Sequence, residues 1–237
     1  MSFERTLAQR FPGSVPMPQF VASSQQVLGQ HGFTPENTLD CVGLCRDEIC
    51  VPFADALREA WGPTFSFASL AGAVLPGRTA FGAFAHHAPV MGGRQRIACF
   101  GFTHVALDAE GQLGPVMRPG LPTPSTACGA LVGLLGELGS GEPLADPDPD
   151  DLEYGLLRQR IAARLEPRAR LDLVDLTLVA HRVLAEDLGR LVQQGVDPRE
   201  MDAAVYTGVQ VHGPDGQEWV WIGEAYVLLQ DGRVELA

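Results

Sequence analysis

The run Arg96–Leu107 is the feature that most constrains the fold of this chain. It is a continuous β-prone segment, and a turn at 108–111 closes it. Such a run predicts a buried, central strand. A shorter apolar run, Leu39–Leu44, predicts a second buried strand, and the residue spacing in Ala54–Trp61 predicts a helix directly after it. Strands that alternate with helices indicate the α/β class.

Periodicity and turn residues predict the other elements of the chain. Ser125 or Thr126 is expected to cap a helix over 127–135, and Asp148 or Asp150 to cap the helix that follows an acidic linker at 146–150. The segment 115–124, with four prolines, is expected to be a loop. The remaining predicted elements are helices at 18–31, 152–165 and 171–193, strands at 203–211 and 219–229 joined by a hairpin turn at 213–216, and a last extended segment at 234–236.

Three chemically capable side chains lie where the strand Leu39–Leu44 ends. Cys45, Arg46 and Asp47 follow it directly. The carboxyl end of a strand is where open α/β sheets usually bind their ligands. Because Cys45 and Asp47 are two residues apart, extended backbone directs both side chains to the same side. A thiol and a carboxylate that face one point suit a zinc site.

Composition and charge exclude several classes of function. The chain has 237 residues, 46% of them hydrophobic and 19% charged, which is typical of a globular protein with a sizeable core. The 17 Lys and Arg residues against 29 Asp and Glu residues give a formal net charge of −12. Nucleic acids and anionic membranes need a basic face, so neither is an expected partner. No linker demands a second domain, and we expect residues 1–237 to form one.

The five cysteines are expected to be reduced thiols. Residues 1–6 do not resemble a signal peptide, and no apolar run approaches the length of a membrane span. We therefore expect a cytoplasmic protein, in which cysteines serve metal binding or catalysis more often than disulfides. For Cys41, Cys50 and Cys99 the alternative is a small buried hydrophobic residue.

Two residues are candidates to join Cys45 in a catalytic zinc site, which takes three N or S ligands and keeps one position open. His104 lies in the predicted central strand. Cys128 lies at the start of a predicted helix, where free N–H groups and the helix dipole lower a thiol pKa. The spacing is not diagnostic, because the chain has no CxxC or HxxxH pair. A core histidine and a small buried residue are the alternatives.

Four short motifs of the chain are Leu44–Glu48, Gly101–Val105, Gly111–Gly114 and Ser125–Ala130. Taken in order, they resemble the limiting CO2-inducible protein B/C family, a divergent group of β-type carbonic anhydrases. Each motif is short, and their number and order carry the resemblance. The segments Thr207–Gly213 and Leu156–Arg160 are also similar, so the resemblance covers nearly the whole chain.

The resemblance implies a fold, a cofactor and an activity. The implied fold is α/β, with a mostly parallel central sheet flanked by helices, in a homodimer with a largely apolar interface. The implied cofactor is Zn2+, whose Cys, His and Cys ligands fall on Cys45, His104 and Cys128. The implied enzyme is a carbonic anhydrase, a lyase that converts CO2 reversibly to bicarbonate.

The resemblance also implies a catalytic Asp/Arg pair beside the metal, which falls on Asp47 and Arg46. In ordinary β-carbonic anhydrases the Arg follows the Asp by two residues, and the His and second Cys ligands are nearly adjacent. This chain departs on both counts, so Arg46 is free to meet another carboxylate or the subunit interface. Zinc lowers the pKa of a bound water to about 7. Asp47 would orient the zinc-bound hydroxide, and a paired Arg would keep Asp47 ionised and off the metal.

Other side chains are secondary candidates. Phe53, Phe65 and Phe67 are candidate walls for CO2, with core packing as the alternative. His86 and His87 are candidates for proton transfer or for support of the metal ligands, with a solvated or capping histidine as the alternative. The histidines with no expected role are His31, His181 and His212.

Three functions remain open at this point. The first is a zinc carbonic anhydrase. The second is a weak or inactive family member, in which Asp47 closes the zinc site and the protein is a structural or CO2- and bicarbonate-responsive module. The third is a metal-free enzyme with Cys45 as nucleophile and His104 as its base. Metal analysis separates the third from the others.

Overall fold

A central sheet organises the computed structural model, which describes residues 1–118, 120–140, 142, 148–165 and 171–236. Within these residues the sheet has eight strands. They are β1 (Val15–Pro16), β2 (Leu39–Gly43), β3 (Phe65–Ser66), β4 (Val90–Met91), β5 (Arg94–Ala106), β8 (Met201–His212), β9 (Glu218–Leu229) and β10 (Gly232–Glu235), and a separate pair is formed by β6 (Pro115–Val116) and β7 (Ser125–Thr126).

Helices cover the two faces of the sheet. They are α1 (Phe3–Arg10), α2 (Met17–Gln30), α3 (Val51–Trp61), α4 (Arg78–His86), α5 (Gly129–Ser140), α6 (Leu152–Ala162) and α7 (Leu173–Gly195). None of the described helices has the length and apolar character that a membrane crossing requires.

The strand order is β1-β9-β8-β5-β2-β3, with β10 on β9 and β4 on β5. The four strands β3, β2, β5 and β8 run parallel to one another. The strand β9 returns antiparallel to β8 through the predicted turn after His212. The expected α/β fold with a central sheet flanked by helices is confirmed, and its antiparallel part lies mainly on the β9 side.

Alternating side chains of β5 contact different helices. Phe102 lies 5.4 Å from the ring of Phe20 in α2 and 5.1 Å from the ring of Phe53 in α3. Gly101 faces the other way, and its missing side chain leaves room for Leu184 of α7. Because strand side chains alternate, His104 lies on the same face as Phe102, at the carboxyl end of the parallel strands. The fold thus brings His104 to the edge where Cys45 leaves β2.

The long predicted elements are confirmed, and the errors concern helix starts. Ser125 and Thr126 form β7 rather than a helix cap, and α5 begins at Gly129. Asp151, not Asp148 or Asp150, occupies the position before α6, and no side chain caps this helix. The helices α1 and α4 were not predicted. Residues 146 and 147 of the predicted linker and residue 119 of the predicted loop lie outside the described residues.

Candidate metal centre

The structure brings Cys45, His104 and Cys128 together. One ligand atom from each lies within 4.8 Å of the others, and all three residues are buried. The Sγ atoms of Cys45 and Cys128 are 4.0 Å apart. Two thiolates about 2.3 Å from a tetrahedral zinc ion would be separated by roughly 3.8 Å. The spacing of the thiols therefore fits a single metal ion.

Each candidate ligand is placed by a different element. Cys45 continues the extended chain after β2 and pairs in parallel with Ser69. His104 lies near the end of β5. Cys128 follows a cis peptide bond with Ala127, and its carbonyl accepts the N–H of Val132 in the first turn of α5. Cys128 thus lies at a helix start, as predicted, although that helix begins later than expected.

The hydrogen bonds of His104 fit a metal ligand. Its Nδ1 lies 2.9 Å from Nε2 of His212. Its Nε2 is fully buried and has no hydrogen-bond partner among the described residues. A buried polar nitrogen without a partner is costly in free energy, and a metal ion would satisfy it. The donor set of two thiols and one imidazole is the set that zinc prefers.

The surroundings favour deprotonation of Cys45. Contact with the Cys128 thiol, together with the nearby His104 side chain, lowers the pKa of Cys45 well below its usual range, against the opposing effect of burial. The same contact with Cys45, with burial added, raises the pKa of Cys128. The N–H groups of Ala130 and Leu131 act in the opposite direction on Cys128. The pair therefore favours a thiolate at Cys45, which is the form of cysteine that binds metal.

Asp47 is held by Arg118. Nη1 and Nη2 of Arg118 donate to the two carboxylate oxygens of Asp47 at 2.6 and 2.8 Å. Burial has the largest single effect and acts to raise the pKa of Asp47, but the hydrogen bonds from Arg118, together with smaller contributions from Glu48, His104 and the N–H of Ile49, outweigh it and lower the pKa to about 2. Arg118 also contacts Glu48, and it donates to Ser125 Oγ at 2.5 Å and to the Thr126 carbonyl at 3.2 Å.

This geometry corrects the expected pairing of Asp47 with Arg46. Arg46 instead forms an ion pair with Glu153 of α6, whose second oxygen accepts the N–H of Leu70 at 2.9 Å. The chain bends at Arg46 and Asp47, between the end of β2 and the helical turn at Glu48–Cys50, and the two side chains leave this bend toward different partners. The Asp/Arg pair beside the candidate ligands is therefore Asp47 with Arg118.

A cleft of about 240 Å³ lies beside Cys45 and Asp47. Its apolar wall is aliphatic, and Arg46 and Arg58 contribute its cationic groups. For the three phenylalanines the core-packing alternative is confirmed, because Phe53 packs in the core between α2 and β5, while Phe65 and Phe67 pack on Phe84 of α4. The apolar lining residues are Val42, Leu44, Val51, Ala54 and Ala68.

Comparison with known proteins decides the family. The sequence profile of the limiting CO2-inducible proteins B/C, which are β-carbonic anhydrases, matches residues 14–229. The chain belongs to this family. No curated protein sequence matches the chain.

Solved structures of the family have the same fold. The crystal structure of PtLCIB4, a homolog of the limiting CO2-inducible protein LCIB, is similar with a TM-score of 0.83 at 26% identity, over 98% of each chain. The crystal structure of LCIB itself is similar with a TM-score of 0.81 at 29% identity, over 98% of this chain and 97% of the other. The family and fold implied by the sequence motifs are thus confirmed.

Sequence analysis assigned no role to His212, but this histidine lies against the candidate metal centre. His212 contacts His104, and its Nε2 is 3.9 Å from Cys50 Sγ. In the described residues, His86 and His87 are not part of the metal-ligating clusters or of the cleft beside them. They lie at the end of α4, where His86 faces a second cavity with Asp197 and Glu200.

Sequence analysis also missed Arg118. It is separated from Asp47 by 71 positions, so no local spacing connects the two. One signal was present, since Arg118 is the only charged residue of the loop 115–124 that leads into the family motif Ser125–Ala130. Because this loop leads directly into the motif that contains Cys128, the sequence places one cation close to a candidate ligand.

Proposed function

We propose that this protein catalyses the reversible hydration of CO2 to bicarbonate, with a zinc ion held by Cys45, His104 and Cys128. The observation that carries the proposal is His104, whose buried Nε2 has no hydrogen-bond partner among the described residues and whose ring has a nitrogen within 4.8 Å of the sulfur atoms of both cysteines. Membership of a β-carbonic anhydrase family supports the same conclusion.

The metal would supply the nucleophile. Zinc in a site with three protein ligands lowers the pKa of bound water to about 7 and so provides hydroxide at neutral pH. The rest of the chemistry belongs to residues of the chain. Thiolates at Cys45 and Cys128 and a neutral imidazole at His104 are the ligand forms that such an ion requires.

Asp47 would act as the catalytic orienting group. As an ionised carboxylate it accepts a hydrogen bond and so fixes the direction of the nucleophile's lone pair. Arg118 donates to both of its oxygens, which favours the ionised carboxylate and would restrain Asp47 from binding the metal itself. This geometry supports an open site over one that Asp47 closes.

The cleft suits both substrate and product. CO2 carries no net charge, and the aliphatic wall formed by Val42, Leu44 and Ala54 offers it an apolar surface. Bicarbonate is an anion, and the guanidinium groups of Arg46 and Arg58 on the same cleft would attract it. The exposed Arg46 therefore retains a proposed role in the site, separate from Asp47.

The test combines metal analysis with stopped-flow CO2 hydration. The purified protein is expected to carry about one zinc per chain, and Cys45→Ser or Cys128→Ser to lose most of it, because a hydroxyl replaces a thiolate. Cys99→Ser is the matched control, since Cys99 is also buried but lies on β5 outside the cluster. Wild-type protein that hydrates CO2 without bound metal would overturn the proposal.

Asp47→Ala separates an open site from a closed one. In an open site this variant keeps its zinc and loses CO2 hydration by about 10²-fold or more. In a closed site it loses zinc, and the wild type has little activity. A metal-free protein in which Cys45 is modified by an acyl or alkyl substrate would instead support the cysteine-nucleophile alternative.

A further inference from the structure

We propose that Glu218 and His212 are positioning residues, which fix His104 in the tautomer whose free Nε2 points to the metal. The tautomer of His104 is inferred from hydrogen-bond geometry. Its effect on zinc affinity rests on the proposed function. All three residues lie on adjacent strands of the sheet: His104 on β5, His212 on β8 and Glu218 on β9.

A continuous chain of contacts joins these side chains. Glu218 Oε1 is 2.9 Å from His212 Nδ1, and His212 Nε2 is 2.9 Å from His104 Nδ1. The sheet itself sets this order, since His212 and Glu218 are direct partners across the antiparallel pair β8 and β9. His104 and His212 are fully or almost fully buried, so water does not compete for the contact between the two rings, while the Glu218 side chain is 15% exposed.

The carboxylate determines where the protons lie. An ionised carboxylate only accepts hydrogen bonds, so His212 Nδ1 carries the proton that faces Glu218. In a neutral imidazole the other nitrogen, Nε2, is then an acceptor. His104 Nδ1 must therefore donate to it, which leaves His104 Nε2 unprotonated. His104 Nε2, which has no hydrogen-bond partner in the described residues, is therefore the nitrogen with a free lone pair.

Gln210 holds the far side of the carboxylate. Its Nε2 donates to Glu218 Oε2 at 2.9 Å, so each oxygen of Glu218 accepts one hydrogen bond within this cluster. Gln210 is the register partner of His104 on β8. Gln210 on β8 thus holds the Glu218 carboxylate in place. The carboxylate in turn fixes the tautomers of His212 on β8 and His104 on β5.

The consequence concerns metal affinity. A histidine ligand binds metal through an unprotonated nitrogen, and a carboxylate that accepts from its other side raises its basicity and fixes the ring. Here the effect reaches His104 through an intervening histidine. Loss of such an outer partner typically costs about 10- to 100-fold in metal affinity.

The tautomers can be measured without metal. In the ¹⁵N-histidine-labelled, metal-free protein, long-range ¹H–¹⁵N correlation spectra distinguish Nδ1–H from Nε2–H, and single substitutions assign the six histidines. The expected result is Nδ1–H for both His104 and His212. Nε2–H at His104 in the wild-type protein would overturn the inference, whether or not the protein binds zinc.

Glu218→Gln is the decisive variant, because it is nearly isosteric. Gln210 Nε2 still needs an acceptor and would take the new carbonyl oxygen, which leaves the new amide N–H groups facing His212 Nδ1. Both histidines then switch to Nε2–H, and zinc affinity, measured by competition with a chelator, falls about 10- to 100-fold. Glu224→Gln is the matched control, since this carboxylate lies on the same strand and is exposed.

A double variant tests the proton order itself. In Gln210→Met with Glu218→Gln, the carbonyl oxygen of the new side chain is free to accept from His212. The Nδ1–H tautomers and most of the zinc affinity are expected to return, which simple loss of packing would not produce. Zinc affinity of Glu218→Gln equal to that of Glu224→Gln would overturn the inference. A wild type with the expected tautomers but no zinc affinity would instead overturn the proposed function.

Discussion

At the scale of single residues, the arginine that binds Asp47 differs from the one that the family resemblance implied. Asp47 is bound by Arg118, and Arg46 by Glu153. The candidate ligands Cys45, His104 and Cys128 were expected from family motifs, since each lies inside one. No motif could identify Arg118, because the contact depends on how a distant loop folds back on Asp47.

Arg118→Ala is therefore expected to impair catalysis more than Arg46→Ala. Without Arg118, Asp47 loses two hydrogen bonds and is free to approach the metal, so CO2 hydration should fall by about 10²-fold at equal zinc content. Arg46 is 57% exposed, and its ion pair with Glu153 is worth little. Stopped-flow assays of the two variants, normalised to bound zinc, measure the difference. Full activity in Arg118→Ala would contradict the assignment of Arg118 as the functional partner of Asp47.

Asp40 is expected to destabilise the fold at neutral pH. It is fully buried on β2, its Oδ1 has no hydrogen-bond partner in the described residues, and Thr64 Oγ1 donates to Oδ2 at 2.5 Å. Burial raises its pKa to about 6, from 3.8. The folded state thus binds more protons than the unfolded state between these values, so stability is lost as pH rises from about 4 to about 6.

Asp40→Asn should therefore stabilise the protein, and by more at pH 7.5 than at pH 5. The gain should be about 2 to 3 kcal/mol at pH 7.5 and about 1 kcal/mol smaller at pH 5, from 1.4 kcal/mol per pKa unit. Urea denaturation at both pH values measures it, with Asp55→Asn as a control for an exposed carboxylate. A gain independent of pH would contradict this cause.

At the scale of elements, the helix α7 has the clearest cap. The Asp172 side chain accepts the N–H of Asp175, and the Asp175 side chain accepts the N–H of Asp172. Asp172 also binds Arg10 of α1 at 2.6 Å. This cap joins the longest described helix to the first one.

Asp172→Ala should lower the free energy of unfolding by about 1 to 2 kcal/mol, mainly through the lost cap. Asp148→Ala is the control, because sequence analysis expected Asp148 to cap α6 and the structure places it outside that helix. Urea denaturation of the two variants measures the difference. Equal stabilities would show that the cap contributes nothing.

The elements that sequence analysis predicted share one property, a long periodic pattern. The strands β5, β8 and β9 and the helices α2 and α7 are long enough for periodicity to identify them. The prediction of a helix cap at Ser125–Thr126 was wrong, because hydroxyl side chains suit helix caps and short strands alike. Pairing with Pro115 and Val116 makes this segment a strand. The helices α1 and α4 are too short for periodicity to identify them.

At the scale of the whole molecule, the family resemblance predicts a homodimer. Light scattering at micromolar concentration is expected to give about twice the 25.4 kDa of one chain. The physical reason is the largely apolar interface that the resemblance implies, since burial of apolar surface drives association. The mass of a monomer over this concentration range would contradict the prediction.

The positions of the residues around the candidate metal also set an order of events during synthesis. The two thiols that meet at 4.0 Å are separated by 83 positions, and His212 and Glu218 follow far behind them. A growing chain therefore contains all three candidate ligands before it contains the two residues that we propose to orient His104. We expect a fragment that ends before β8 to bind zinc more weakly than the full chain, because nothing in it fixes the tautomer of His104.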